Sequence, residues 1–113
     1  MSKHYVYIFT RQDISPEQQA VQTAHATYKL GWNAKIHDMP DWPTPDNTYF
    51  TLVGVRNRDA LSAVSLILDK FEIPCESFVE PDMDYEVTSI ATYPIHEDDR
   101  GPLLAFNLLK MKS

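Results

Sequence analysis

The chain has 113 residues, a length that fits one domain with one hydrophobic core. Hydrophobic residues make up 43% of the chain and charged residues 23%, a composition typical of a folded globular protein and not of a disordered one. Sixteen acidic residues against ten basic ones give a net charge of −6. Because proteins that grip nucleic acid broadly carry clustered lysine and arginine, we expect any nucleic-acid contact to be small and local.

The cysteine content and the apolar runs predict where the protein works. Cys75 is the single cysteine, so an internal disulfide is excluded and a reducing cytoplasm is expected. No apolar run approaches the roughly 20 residues that a bilayer-spanning helix needs. The sequence therefore predicts one domain over residues 1–113, in the cytoplasm and with no membrane partner.

The first part of the chain predicts a strand followed by a helix. Residues 5–10 form a continuous aromatic and β-branched run, which is typical of a central strand buried on both faces. Ser15 and Pro16 then mark a helix start, because serine caps free amides and proline suits the first helical position. We expect this helix to run to about residue 30, with Gly31 as its stop.

A helical period of 3.6 residues divides this helix into two sides. The residues on the apolar side, which we expect to pack on the sheet, are Ala20, Val21, Ala24 and Tyr28. The polar stripe beside them consists of Gln18, Gln22, His25 and Lys29. Residues 32–48 follow, and their prolines and aspartates predict an ordered loop or broken helix. Trp32 and Trp42 of that segment either form a stacking platform for a nucleobase or cover the core.

The remaining elements predict a layered fold. Strands are expected at residues 49–55, 76–79 and 86–93, a helix capped by Asn57 at residues 58–71, and a short amphipathic helix at residues 103–111. Helices that alternate with strands are typical of α/β domains. The sequence therefore predicts a three-layer α/β/α domain with a four-stranded mixed sheet and the first strand inside it.

Two side chains near the first strand are candidates for chemistry. His25 lies at the edge of the polar stripe, where its imidazole is either a base or a packing residue bound by hydrogen bonds. Arg11 follows the first strand, at the sheet edge where open α/β sheets bind ligands. Its guanidinium either holds a phosphate or carboxylate or pairs with Asp13. The four histidines lack the spacing of metal ligands, so no metal is predicted.

Three segments are similar to the motifs of a known family. Residues 11–14 (RQDI) and 20–26 (AVQTAHA) match a strand that ends in Arg-x-Asp-Leu and a helix that carries Ala-x-Gln-x-x-His-Ala. Residues 88–94 (TSIATYP) match a last strand of the form Thr-x-x-Ala-x-x-Pro. In these motifs, and in length and element order, the chain resembles the type-2 peptidyl-tRNA hydrolases, small α/β enzymes that cleave peptidyl-tRNA.

The resemblance implies an activity and a set of roles. The protein would hydrolyse the ester bond between peptide and tRNA, without a cofactor and as a homodimer. His25 would be the base or the water-orienting group, and Arg11 would hold the 3′-terminal phosphates. Glu80 or Asp82 would stand in for the family's aspartate and orient His25 or the water.

The chain departs from the family at three places, and these leave a second hypothesis open. The predicted loop at residues 32–48 stands in place of the helix that follows the family's first helix. Gln18 occupies the position of the family's lysine, and residues 80–84 replace its Asp-Ala-Gly turn. The second hypothesis is a non-catalytic binder of a small nucleotide or of a protein partner that keeps the same cleft. The ligand-binding residues expected under either hypothesis are Arg11, Asp13, Gln18, Gln22 and Lys29.

Overall fold

The structure is a computed structural model that describes residues 3–39 and 42–106. The strands are β1 (His4–Arg11), β2 (Thr48–Val55), β3 (Cys75–Glu80), β4 (Glu86–Thr92) and β5 (Ile95–His96). The helices are α1 (Pro16–Ile36) and α2 (Arg58–Lys70). Short 3₁₀ turns occur at Pro45–Asn47, Pro81–Met83, Glu97–Asp99 and Gly101–Leu103.

The strands form one mixed sheet with β1 in its interior. The strand order is β2-β1-β4-β3, with β2 parallel to β1 and with β4 antiparallel to both β1 and β3. The two-residue β5 pairs with the first part of β1 and makes the sheet five-stranded. The predicted interior strand at residues 5–10 is confirmed. The predicted number of four strands is wrong, because β5 is too short to carry an alternating pattern.

The side chains of β1 alternate between two cores on opposite faces of the sheet. Tyr7 and Phe9 belong to a cluster that includes Leu61 of α2, whereas Val6 and Ile8 pack with α1. Successive residues of a strand point to opposite faces, so the two helices cover opposite sides of the sheet. This arrangement has the three layers that the sequence predicted.

The two helix starts are those that the sequence predicted. The Ser15 hydroxyl accepts a hydrogen bond from the backbone N–H of Gln18 at 3.2 Å, and Pro16 occupies the first turn. The Asn57 side chain accepts the N–H of Ala60 at 3.0 Å at the start of α2. Each cap satisfies an amide that the helix itself leaves without a partner.

The end of α1 differs from the prediction. The helix passes through Gly31 and ends at Ile36, so the predicted loop at residues 32–48 begins inside a helix. Leu30 and Ala34, on either side of Gly31, are both buried. Their burial against the sheet outweighs the modest cost of a glycine within a helix.

The exposed position of Gly31 leads to a stability prediction. A Cβ built at Gly31 has no atom within 4 Å, so Gly31→Ala is expected to raise the free energy of unfolding by about 0.5–1 kcal/mol. Urea unfolding measures the change. Gly101→Ala is the matched control, because Gly101 has equally open space but lies in a 3₁₀ turn, where we expect a smaller gain. An unchanged or lowered stability of Gly31→Ala would contradict the prediction.

The buried face of α1 is also different from the prediction. The four residues expected to pack on the sheet are all exposed: Ala20, Val21, Ala24 and Tyr28. The buried residues are instead Gln19, Gln22, Ala26, Leu30 and Ala34. Hydropathy periodicity places glutamine outside, whereas here two glutamines are buried with side-chain amides that donate hydrogen bonds within the protein.

The predicted C-terminal helix at residues 103–111 lies partly outside the described residues. Within the described part, the 3₁₀ turn Gly101–Leu103 stands where that helix was expected to begin. Leu103 is buried in the cluster on the α2 side, and Phe106 packs edge-on against Phe9 at 5.1 Å. In the part of the chain that the structure describes, neither helix combines the length and hydropathy needed to cross a membrane.

Candidate functional site

A cleft of about 400 Å³ lies between the first half of α1 and the turn that connects β3 to β4. The residues that line it are Glu17, Gln18, Val21, Gln22, His25, Glu80, Asp82 and Met83. The fold thus brings the predicted histidine together with both candidate carboxylates and both glutamines of the polar stripe. Residues from 17 to 83 meet here because α1 packs against β3 and β4.

Gln22 connects α1 to β3 and β4 at the cleft. Its side chain is almost fully buried, at 2% exposure. Its amide N–H donates to Glu80 Oε2 at 2.9 Å, and its Oε1 accepts from the buried Thr88 hydroxyl at 2.7 Å. Both ends of the amide are therefore engaged, and Gln22 positions Glu80 at the wall of the cleft.

Two hydrogen bonds orient the Glu80 carboxylate at the cleft. Its Oε1 accepts the backbone N–H of Asp82 at 3.1 Å, in addition to the bond from Gln22. The hydrogen bond from Gln22 is the largest of the effects that lower the pKa of Glu80, followed by the Asp82 N–H and opposed by desolvation; the charge of His25 adds a smaller lowering. Glu80 is therefore ionised at neutral pH, next to His25.

His25 stands at the boundary between the cleft and a second depression. Its ring stacks on Phe78 of β3, with 4.4 Å between the centroids and 6° between the planes. Stacking occupies a face of the imidazole and leaves its edge, which carries both nitrogens, for other partners. The same ring contributes to the walls of both depressions.

Arg11 and Asp13 form a pair with each other. Arg11 is 6% exposed, and its guanidinium contacts both carboxylate oxygens of Asp13, at 2.9 Å and 2.8 Å. Its other terminal nitrogen lies 3.6 Å from Glu86. The hydrogen bond between the pair raises the pKa of Arg11 and lowers the pKa of Asp13. Of the two interpretations of Arg11, the structure therefore favours the ion pair, and a phosphate would have to displace Asp13 from a bidentate contact.

The two remaining predicted ligand residues differ in their surroundings. Lys29 donates from Nζ to the carbonyl oxygen of Ser77 at 2.8 Å and lies 4.0 Å from Glu76. Gln18 is exposed on the first turn of α1, at the cleft. Carboxylates of Glu17, Glu80 and Asp82 surround the same cleft, which gives it a negative field.

A second depression, which we call the aromatic groove, adjoins the cleft. It has a volume of about 310 Å³ and is lined by His25, Tyr28, Lys29, Trp32 and Phe78. Sequence reasoning placed Trp32 in a loop and did not assign Tyr28 or Phe78 to a site. The sequence feature that could have indicated the groove is the spacing of residues 25, 28, 29 and 32, which share one side of an α-helix. Trp42 packs edge-on against Tyr93, with centroids 6.1 Å apart.

The remaining reactive groups are the Cys75 thiol and the residue types that bind metals. Cys75 is half-buried against the cluster on the α2 side. Burial raises the pKa of its thiol, and the charges of Glu76 and Asp69 raise it further. A raised pKa disfavours the nucleophilic thiolate. The described residues contain no group of three or more His, Cys, Asp or Glu side chains arranged to hold a metal ion.

Comparison with known proteins finds a solved structure whose fold is similar to that of this chain. No family model matches the chain, and no curated protein matches it. Among solved structures, the fold is similar to that of Atu0240, a protein of unknown function from Agrobacterium tumefaciens, with a TM-score of 0.66. The match covers 97% of this chain and 100% of that chain, at 11% sequence identity. The two proteins therefore share an α/β fold.

Proposed function

We propose that this protein hydrolyses an ester in the cleft between α1 and β3, with His25 as the base. The observation that carries the proposal is that His25 and an ionised, hydrogen-bonded Glu80 line the same cleft. An ester is already activated, so an enzyme mainly has to position a water molecule and stabilise the developing oxyanion. His25 takes a proton from that water as it attacks the carbonyl carbon, and Glu80 stabilises the imidazolium that forms. The ester C–O bond then breaks, and the imidazolium gives its proton to the leaving oxygen, so that the products are a carboxylic acid and an alcohol.

The substrate we propose is peptidyl-tRNA, cleaved at the ester between peptide and tRNA. The support is the resemblance of residues 11–14, 20–26 and 88–94 to the type-2 peptidyl-tRNA hydrolases. The negative field of the cleft restricts contact with the tRNA to its 3′ end, because additional phosphates would be repelled. The same resemblance supports a homodimer, and the single cysteine supports a cytoplasmic location.

A second candidate function is non-catalytic binding of a nucleotide or of a protein partner. The charge around the cleft favours this candidate. Gln18 stands where the hydrolase family has a lysine, and the Arg11 guanidinium is engaged by Asp13. A protein that kept the fold but no longer cleaved tRNA esters would not need either positive charge.

The decisive experiment offers the purified protein two kinds of ligand. One arm incubates it with peptidyl-tRNA and follows the release of free tRNA. The other arm measures the shift in melting temperature with a panel of nucleotides. Turnover supports the hydrolase, whereas a specific shift without turnover contradicts hydrolysis and supports the binder.

Restoring a positive charge at the cleft tests the tRNA as partner. Gln18 lies on the first turn of α1, where the helix dipole already favours an anion. We expect Gln18→Lys to raise tRNA affinity and to steepen its salt dependence by roughly one counterion. Filter binding at several salt concentrations measures both quantities.

The control for Gln18→Lys adds the same charge on the other side of the sheet. Ala63→Lys is suitable, because Ala63 is exposed on α2. Equal effects of the two variants would assign the gain to net charge and not to the cleft. If neither variant nor the natural protein binds tRNA at any salt concentration, the tRNA proposal is wrong.

A further inference from the structure

We infer that the aromatic groove binds the purine base of a nucleotide. The inference deepens the proposed function and rests on it in one respect: the base would occupy the groove while an ester of the same substrate lies over the adjoining cleft. The groove and the cleft share His25, so a ligand that fills the groove reaches the imidazole proposed as the general base. The purine site itself depends on the groove residues alone.

The walls of the groove consist of aromatic rings in two stacked pairs. Tyr28 and Trp32, one helical turn apart on α1, have centroids 6.4 Å apart and planes inclined by 13°. His25 stacks on Phe78, which comes from the edge strand β3. A planar base gains most from flat, sequence-tolerant ring faces of this kind, because every base offers a π face to stack.

The exposed rings are not needed to hold α1 on the sheet. Tyr28 is 72% exposed and Trp32 53% exposed, whereas Ala26 and Leu30 on the opposite side of the helix are buried. The helix is therefore anchored without the two large rings. Large aromatic side chains gathered in an exposed apolar groove are a feature of binding sites and not of ordinary protein surface.

Size and charge select a nucleotide among planar ligands. A volume of about 310 Å³ lies at the lower end of small-ligand pockets, which suits a base with its sugar and is too small for a docked helix. Among the described residues that line the groove, Lys29 is the one with a permanent charge. The Lys29 side chain is 46% exposed, and its positive charge attracts a ligand that carries a phosphate and repels an aromatic ligand that is itself a cation. A purine has a larger stacking face than a pyrimidine, so it should bind more tightly.

The first experiment uses Trp32 as the reporter of binding. In the Trp42→Phe protein, Trp32 is the single tryptophan, and titration with AMP should quench its fluorescence in a saturable way. We expect adenosine to bind more weakly than AMP, cytidine monophosphate to bind more weakly still, and ribose 5-phosphate to give no quench. No saturable quench with AMP up to several millimolar would overturn the inference. Equal affinities for AMP and ribose 5-phosphate would overturn it too, because they would assign binding to the phosphate alone.

The second experiment removes the rings one at a time in the otherwise natural chain. Calorimetric titration with AMP should show that Tyr28→Ala and Trp32→Ala each weaken binding roughly 5- to 100-fold, the range expected for one base-stacking ring. Phe50→Ala is the matched control, because Phe50 is 57% exposed on the opposite edge strand β2. Unchanged affinity in both groove variants, or an equal loss in Phe50→Ala, would overturn the inference.

The two proposals fail in different ways. AMP binding that is lost in the groove variants, in a protein without ester hydrolysis, supports the purine site and contradicts the hydrolase. If the natural protein does not bind AMP and Trp32→Ala hydrolyses the ester at the natural rate, the purine site is contradicted and the hydrolase is left intact. Far-UV circular dichroism of each variant confirms that the fold is retained.

Discussion

Under the proposed hydrolase function, replacing His25 with alanine is expected to lower peptidyl-tRNA hydrolysis by about 100-fold or more, the usual contribution of a positioned general base. The same change should lower the melting temperature by only a few degrees. His25 is exposed and its ring contact is the stack on Phe78, so its loss is expected to cost about 1 kcal/mol of stability. Single-turnover kinetics and thermal unfolding measure the two effects separately.

The matched control for His25→Ala is a change at His37, the exposed histidine that follows the last residue of the same helix. His37 lies at the C-terminal cap of α1, away from the cleft lining, and His37→Ala should keep the full rate. If His25→Ala retains the natural rate, the base lies elsewhere. If His25→Ala unfolds while its folded fraction keeps full activity, His25 is a packing residue.

Gln22→Met is expected to have the largest combined effect on stability and activity. Methionine keeps the length of the side chain but removes both hydrogen bonds, which leaves the buried Thr88 hydroxyl without its acceptor and Glu80 with only the Asp82 N–H as a donor. We expect a loss of about 1–3 kcal/mol in the free energy of unfolding. We also expect slower hydrolysis, because Glu80 is no longer held against the cleft wall.

The Glu80 carboxylate provides an independent readout of this change. The hydrogen bond from Gln22 is the main reason that its pKa is lowered, so the pKa should rise towards its ordinary value in Gln22→Met, as followed by NMR titration. A carboxylate whose folded-state pKa is lowered stabilises the fold above its unfolded-state pKa and loses that contribution as the pH falls through the folded-state value. The stability difference from the natural protein should therefore be full at neutral pH and become smaller below about pH 4.5.

The control for Gln22→Met is Gln18→Met on the same helix. Gln18 is exposed, so this variant should unfold at nearly the natural urea concentration and leave the Glu80 titration unchanged. A Gln22→Met protein as stable as the natural one, with an unchanged Glu80 titration, would show that the buried amide does not hold the cleft together.

The features that the sequence by itself determined are those set by neighbouring residues. The continuous apolar run of β1 specifies a strand buried on both faces, because alternate residues must each find a core. Ser15 and Asn57 specify the helix starts through bonds to amides three residues ahead. Such contacts depend on local spacing and are visible in any stretch of sequence that contains them. The alternation of helices and strands along the chain is likewise a local pattern, and it specified the layers of helix and sheet.

Only the tertiary structure decided which residues meet at the cleft. Gln22 and Glu80 are 58 positions apart, and no periodicity indicates that an amide on α1 is buried against β4 and bonded to the end of β3. Hydropathy placed the glutamines of α1 in solvent, whereas buried partners make burial of Gln22 favourable. Leu30 and Ala34 likewise extended α1 past Gly31, because the energy gained against the sheet exceeded a local preference. Long-range packing determined which face of α1 is buried and which residues form the cleft, since its free energy is larger than that of local propensity.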